Sequence, residues 1–309
     1  MAGSPCELRK ITCGLWSKRC LPKLMLALLV CGGSVAIARA QESHYFITYD
    51  HHMEEPGNLE VEFEPTTARP SGGNRFLSGL TEFEYGTTGW WTTEVYLEGQ
   101  STLHDSTGFS GYRVENRFHI LAGDHRINPV LYVEYERLSG DKALKEVVGF
   151  DGQEDGLEPN AVARHEIERE VETRLILSSD FKGWNVSENL IGEKNLAHQP
   201  WEFGYAIGIS RPLGLAASPF HCNFCPENFR AGLELYGGLG TPDRFTLHNT
   251  SHHIAPVIAW SLPAGPMFSI SPSFGLTDPA YGFILRMGVS YEFPGFGRAV
   301  RGLFTGMAE

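Results

Sequence analysis

The sequence predicts an all-β protein, a closed antiparallel transmembrane β-barrel of about twelve strands (ten to fourteen) behind a cleavable signal peptide. Three observations predict it. A basic, then apolar, then small-residue leader opens the chain, and strict alternation of apolar and polar residues recurs along the rest. Most alternating runs have 9 to 13 residues, enough to cross a bilayer when tilted, whereas globular strands are usually nearer 5 or 6.

The leader comes first. Arg9, Lys10, Lys18, Arg19 and Lys23 precede an apolar stretch from Leu24 to Ala38, which ends in Ala38-Arg39-Ala40, a small-x-small cleavage pattern. The stretch has 15 residues and contains Gly32 and Gly33, whereas a spanning helix wants about 20 apolar residues. Residues 1–40 therefore read as an export signal cut after Ala40. A lipoprotein signal ending at Cys31 is the weaker alternative, because Val30 is larger than the small residue usual at that point. The leader takes six of the 25 Lys and Arg (residues 9, 10, 18, 19, 23 and 39) and one of the 37 Asp and Glu (Glu7). The mature chain thus carries 19 basic against 36 acidic residues, a net charge of −17, which argues against nucleic acid as a partner. It keeps two cysteines, Cys222 and Cys225, too few for a disulfide scaffold. No later segment approaches 18 uninterrupted apolar residues, so any embedding in a membrane must use strands.

Residues 41–58 precede the first strand and hold His44, His51, His52, Glu54 and Glu55. Imidazoles and carboxylates together could collect a divalent metal. A mobile polar segment accounts for them as well and is the preferred reading, so no metal or cofactor is expected.

The strands follow from period two. Leu59, Val61 and Phe63 alternate with Glu60, Glu62 and Glu64; Trp91, Thr93, Val95 and Leu97 with Thr92, Glu94, Tyr96 and Glu98. Later runs keep the period with smaller inward residues, as where Trp201, Phe203, Tyr205, Ile207 and Ile209 alternate with Glu202, Gly204, Ala206, Gly208 and Ser210. The predicted strands are 59–64, 80–86, 90–99, 109–118, 129–138, 164–178, 184–195, 200–211, 228–239, 253–262, 266–276 and 281–293. Short connectors rich in turn residues, Thr87 to Gly89, Ser179 to Gly183 and Pro263 to Gly265, all fall on one side of such a barrel. The longest connection, Ser139 to Ala163, is acidic and Gly-rich and falls on the other. The loop at 212–227 fits poorly, being long where a short turn is expected. A soluble β-sandwich also alternates, but three features favour the membrane: strand length, aromatics toward strand ends (Trp90, Trp91, Trp184, Trp201, Trp260, Tyr291, Phe293), and ionisable groups that a sandwich core could not bury cheaply.

The run Arg286-Met287-Gly288-Val289-Ser290-Tyr291-Glu292-Phe293 resembles the terminal strand of bacterial outer-membrane β-barrel proteins, of the uncharacterised porin- or transporter-like kind. In that class the strand ends on an aromatic residue, usually Phe. The resemblance covers the hairpin from Phe268 to Phe293 closely and the mature chain only in style. It implies location in the outer membrane, contact with outer-membrane lipid, and reading of the strand ending at Phe293 by the barrel assembly machinery. One departure is that Pro294 to Glu309 follow Phe293. The implied organisation is signal 1–40, periplasmic N-terminal segment 41–58, barrel 59–293 and a basic, Gly-rich periplasmic tail 294–309.

Four constellations could carry chemistry. The inward phase holds Glu82, Glu84, Glu94, Glu134, Glu136, Glu168, Glu170 and Glu172, with Glu98, Glu202 and Glu234, against Arg113, Arg117, Arg174, Arg230 and Arg286. These line a polar conduit, or they pair and fill the lumen; twelve strands leave an interior between the filled eight and the open sixteen, so both remain open. Cys222 and Cys225 form a C-x-x-C that reads as a local disulfide in an oxidising compartment rather than a zinc or redox site. The N-terminal histidines are the third constellation. The fourth is His248 to His253: Ser251 and His253 sit two apart, as a nucleophile and base on one strand face would, and outer-membrane phospholipase A is a twelve-stranded barrel enzyme. That family's own serine and histidine motifs are not visible, so no catalytic residue is assigned. The expected function is passive passage of a small hydrophilic solute through an acidic lumen. The alternatives are a plugged structural or surface-interaction barrel and a membrane-embedded lipid hydrolase.

Overall fold

A computed structural model describes residues 44–139, 148–197, 199–216 and 222–305. The signal at 1–40 and the Cys31 alternative lie outside these residues. The strands are β1 (Leu59–Ala68), β2 (Phe76–Thr88), β3 (Trp91–Thr102), β4 (Thr107–His119), β5 (Asn128–Ser139), β6 (Ile167–Phe181), β7 (Trp184–Asn195), β8 (Trp201–Pro212), β9 (Phe229–Thr241), β10 (Arg244–Phe245), β11 (His252–Ser261), β12 (Met267–Gly275) and β13 (Phe283–Phe293). All pairings are antiparallel; β13 pairs with β1 and β8 with β9, which closes the sheet on itself. β10 is a two-residue spur on β9, so twelve strands form the barrel, each overlapping one predicted from period two.

Register shifts fall at Gly86, Gly99 and Gly204, and prolines account for the gaps in two ladders. Proline has no N–H to give a ladder, so within a sheet it interrupts pairing on one side. The expected β1 stops at Glu64 because Pro65 follows. The observed strand runs on to Ala68, since pairing to β2 is continuous and only the ladder to β13 lapses between Phe63 and Thr66. Pro256 of β11 and Pro272 of β12 fall in one gap in the ladder between those strands, from Ile254 to Ile258. Beyond Pro294 the expected extension contains a helix, α2 (Phe296–Thr305), with Phe296, Val300 and Leu303 at helical spacing.

The outward phase is apolar and uncovered. Phe63, Phe83, Val95, Leu97, Leu131, Leu175, Ile207, Leu233, Ile258, Ile270 and Val289 are each between 37% and 50% exposed. A band of this kind around a closed barrel is what bilayer hydrocarbon covers. The rim that carries the start of β1 and the end of β13 gathers aromatics: Trp90, Trp91 and Phe118; Trp260 with Phe224, Phe229 and Phe268; Tyr291 with Phe293. Trp201 starts β8 and stands at the opposite rim.

The described part of the connection between β5 and β6, residues 148–166, folds inward over that opposite rim. Gly149 donates to the Phe203 carbonyl at 3.0 Å, Gln153 to Pro279 at 2.8 Å, and Asn160, which opens helix α1 (Asn160–Ala163), to Asp105 at 2.8 Å. It therefore bridges loops on several sides of the mouth instead of standing off as a solvated loop.

The lipid-facing assignment has a direct consequence. Leu97→Arg, at the middle of outward-facing β3, should destabilise the barrel in lipid vesicles by about 2–4 kcal/mol, as charges on a lipid face do. Denaturant titration in vesicles reads it; a change within about 0.5 kcal/mol, the usual size at a water-facing position, would contradict a membrane-facing wall.

Candidate functional site

The candidate site is the lumen, and register organises its charge. Glu292 of β13 opposes Glu60, which opposes Glu84; Glu84 opposes Glu94, Glu94 opposes Glu115, and Glu115 opposes Glu134. Glu134 opposes Glu172, Glu172 opposes Glu193, and Glu193 opposes Glu202 of β8. A row of glutamates thus runs round most of the wall. Like charges directly opposite one another on adjacent strands repel. One inward step toward the aromatic rim, the register aligns Arg117, Tyr132 and Arg174. Arg117 donates to Glu84 at 2.6 Å and to Glu94 at 2.7 Å, and pairs with Glu115 at 3.3 Å. Arg174 donates to Glu172 at 2.6 Å. One step the other way, Arg113 pairs with Glu98 and, at 3.4 Å, with Glu134. All these side chains except Glu202 and Glu292, which are half-buried, are buried.

The remaining predicted lumen residues keep the same inward phase. Glu82 lies on β2, Glu136 is buried on β5, and Glu170 accepts a hydrogen bond from Asn195 at 3.2 Å. Glu168 is half-buried near the opposite rim. Arg230 donates to Ser210 at 3.3 Å, and Arg286 to Tyr236 at 2.9 Å and Ser273 at 3.0 Å. Glu60, Glu62, Glu64, Glu115 and Glu193 belong to the set too. Their parity carries the signal; the sequence reading did not single them out.

The largest correction concerns residues 44–58, expected as a mobile polar segment outside the barrel. They dip into the lumen from the aromatic rim and return to it. Tyr45 donates to Asn185 at 3.0 Å on the way in. At the deepest point Glu234 of β9 accepts the main-chain N–H groups of Ile47 at 2.9 Å and Thr48 at 2.8 Å, with Phe46 at 3.3 Å. The Ile47 carbonyl accepts from Arg174 at 2.9 Å. Asn189 brackets Tyr49, accepting from its N–H at 2.7 Å and donating to its carbonyl at 2.8 Å. The Tyr49 ring lies under the Arg117 and Arg174 guanidiniums, 5.4 and 4.8 Å from its centroid, and edge-on to Tyr132. A chain without sheet partners must satisfy its backbone groups somewhere when buried; here wall side chains do it. Ile47 also joins Val148, from the opposite connection, in one apolar cluster with Ile191, Ala206, Tyr236 and Ala255. The two inserts meet there.

The returning limb is ionic. His52 lies 3.1 Å from both Asp50 and Asp180; burial opposes its charge, yet Asp50 and Asp180 push its pKa up to about 10. Burial and the Arg230 charge push His44 down to about 3. Burial, Glu84 and Glu292 push Glu54 up to about 8. A cavity of about 90 Å³ remains between this limb and β1 to β3, room for several waters, with Glu54, Glu60, Glu62, Glu64, Glu82 and Glu84 on its walls.

The other constellations resolve simply. Cys222 and Cys225 are joined in a disulfide, Cα–Cα 5.5 Å, in the connection between β8 and β9; His221 lies outside the described residues. Ser251 donates its hydroxyl to the Asp151 carbonyl at 2.6 Å, while His253 stacks on Tyr236 with no hydrogen-bond partner at either ring nitrogen. The nucleophile–base contact that hydrolysis needs is not formed.

No known family's sequence profile matches the chain, and no curated protein matches it. Similar solved structures include the KdgM porin (8% identity, 75% of this chain and 98% of that one, TM-score 0.46). Two others are the NanC porin (11%, 75% and 98%, TM-score 0.47) and an outer membrane channel from Pseudomonas putida F1 (10%, 84% and 100%, TM-score 0.47). The geometry of this barrel, rather than these likenesses, carries the reading that follows.

Glu234 is the main anchor of the inserted segment. Hydrogen bonds to a charged acceptor are worth about 1.5–3 kcal/mol each, so Glu234→Ala should weaken seating by several kcal/mol. Amide hydrogen exchange at residues 46–48 should then speed up by about a hundredfold or more while the strand amides keep their protection. Unchanged exchange at 46–48 would contradict the anchoring role.

Proposed function

We propose that the chain is an outer-membrane channel for small hydrophilic solutes, cations above all, whose passage is closed by its own N-terminal segment. The observation that carries this is how residues 44–56 occupy the lumen: wall side chains hold the main chain of Phe46 to Tyr49, and main-chain pairing to β2 begins only at Gly57 and Asn58. A segment built into the sheet would be wall. One held by side chains instead of a strand ladder is separable from the wall, and twelve strands enclose a wider interior than the eight that side chains alone fill. The carboxylates around the cavity outnumber the arginines there (Arg113, Arg117 and Arg286), which favours cations. The apolar outer band, the aromatic rim and the export-signal pattern of the leader support the location.

One observation favours a second reading, a filled barrel with a structural or surface role. An insert from each end of the lumen, Ile47 of one and Val148 of the other, meets in a single apolar cluster.

Planar-bilayer conductance separates the two. The mature chain should give rare, small steps. The same chain lacking residues 41–56, shown to be folded by heat-modifiable gel mobility, should give frequent steps with a reversal potential selective for K⁺ over Cl⁻. Silence from the folded truncated barrel would sink the channel and leave the filled barrel standing.

A further inference from the structure

Where the inserted segment returns to the aromatic rim, His51 and His52 approach Asp180 at the end of β6. His52 Nε2 lies 3.1 Å and His51 Nε2 3.9 Å from the same oxygen, Oδ2 of Asp180. The ligand atoms of all three residues lie within 4.8 Å of one another. Three ligands at about 2.0–2.2 Å from a tetrahedral zinc stand about 3.4 Å apart, and the two observed separations bracket that value.

Each ligand is also held from behind. His51 Nδ1 meets the Ser178 hydroxyl at 2.8 Å, His52 Nδ1 meets Asp50 Oδ1 at 3.1 Å, and Asp180 Oδ1 accepts from Asn185 at 2.8 Å. A metal-bound imidazole characteristically gives its second nitrogen to a carboxylate or other oxygen, which fixes tautomer and ring orientation. Asp50, His52 and Asp180 reproduce the carboxylate–histidine–metal order. The position is accessible, for the Asp180 side chain is 48% exposed and that of His52 25%.

We infer that His51, His52 and Asp180 form a binding site for a divalent transition metal of the zinc type, open to solvent at the rim. Two imidazoles with one carboxylate suit a borderline metal; Ca²⁺ and Mg²⁺ want an all-oxygen set. Water takes the fourth position, as in open three-ligand sites. Two ligands come from the inserted segment and one from the wall, so the metal pins the segment where it leaves the lumen. The site rests on the seated segment and not on whether the lumen conducts.

The test uses the mature chain without a polyhistidine tag, in detergent, stripped with chelator, then titrated with Zn²⁺ by calorimetry and with Co²⁺ by visible absorption. The expected result is one Zn²⁺ per chain, retained in a large excess of Ca²⁺ or Mg²⁺, and Co²⁺ bands of a four-coordinate nitrogen–oxygen site. Asp50→Asn should weaken Zn²⁺ binding by about 10–100-fold, and His52→Ala or Asp180→Asn by more than about a hundredfold. His104→Ala and His248→Ala, exposed histidines elsewhere, should leave it unchanged. Gel mobility shows which variants fold; should Asp180→Asn not fold, His51→Ala takes its place. No stoichiometric Zn²⁺ on the folded parent chain means an ion-pair latch only, and undiminished binding by a folded ligand variant places the metal elsewhere. Either outcome overturns the site.

Discussion

Arg174 does two things at once: it holds Glu172 on its own strand and reaches the carbonyl of Ile47 in the segment that fills the lumen. Much of the interior depends on this kind of sharing. The wall faces apolar surroundings outside, so its charged inner face must be satisfied from within. Twelve strands enclose a wider interior than the eight that side chains alone fill. The inserted segment supplies the missing middle: Tyr49 gives two guanidiniums an aromatic face, and its backbone uses the otherwise idle amide of Asn189.

The glutamate row and the arginines beside it are one arrangement. Repulsion between opposed carboxylates would destabilise the barrel at every strand pair it crosses. Arg117 answers three of them, and Arg113 and Arg174 answer Glu98, Glu134 and Glu172. Compensation is dense on β3 to β6 and thin on β1 and β2, where the cavity lies. The excess of carboxyl groups over arginines and the free volume therefore coincide.

The strands were legible because period two persists through most of each one; the run from Leu59 ends early on paper at Pro65, while the strand continues to Ala68. Inward glutamates and arginines followed from the same parity. The inserted segment was not legible. His44 to Glu54 shows no period, and its partners are remote in sequence, Ile47 standing 187 residues from Glu234. The polar character that read as solvation there is satisfaction inside the lumen. β10, with two residues, is too short to show a period, and α2 lay hidden in a tail read only for its glycines and charge.

One sequence feature gains a meaning from the fold. On β8 the inward residues shrink to Gly204, Ala206, Gly208 and Ser210, whereas β2 to β6 carry glutamate, tyrosine and arginine. A Cβ on Gly208 would stand 2.8 Å from the Tyr45 ring and 3.0 Å from Thr48. Ala206 packs in the cluster that receives Ile47. Small residues here do not widen a conduit; they shape a bed for the segment, against which tyrosine and isoleucine pack as in any protein interior. The large charged residues of β4 and β6 reach across to the segment from the other side, Arg174 at the Ile47 carbonyl and Arg117 over the Tyr49 ring. The two sides of the lumen thus hold the segment differently, one by close apolar packing and the other by charged and aromatic contacts.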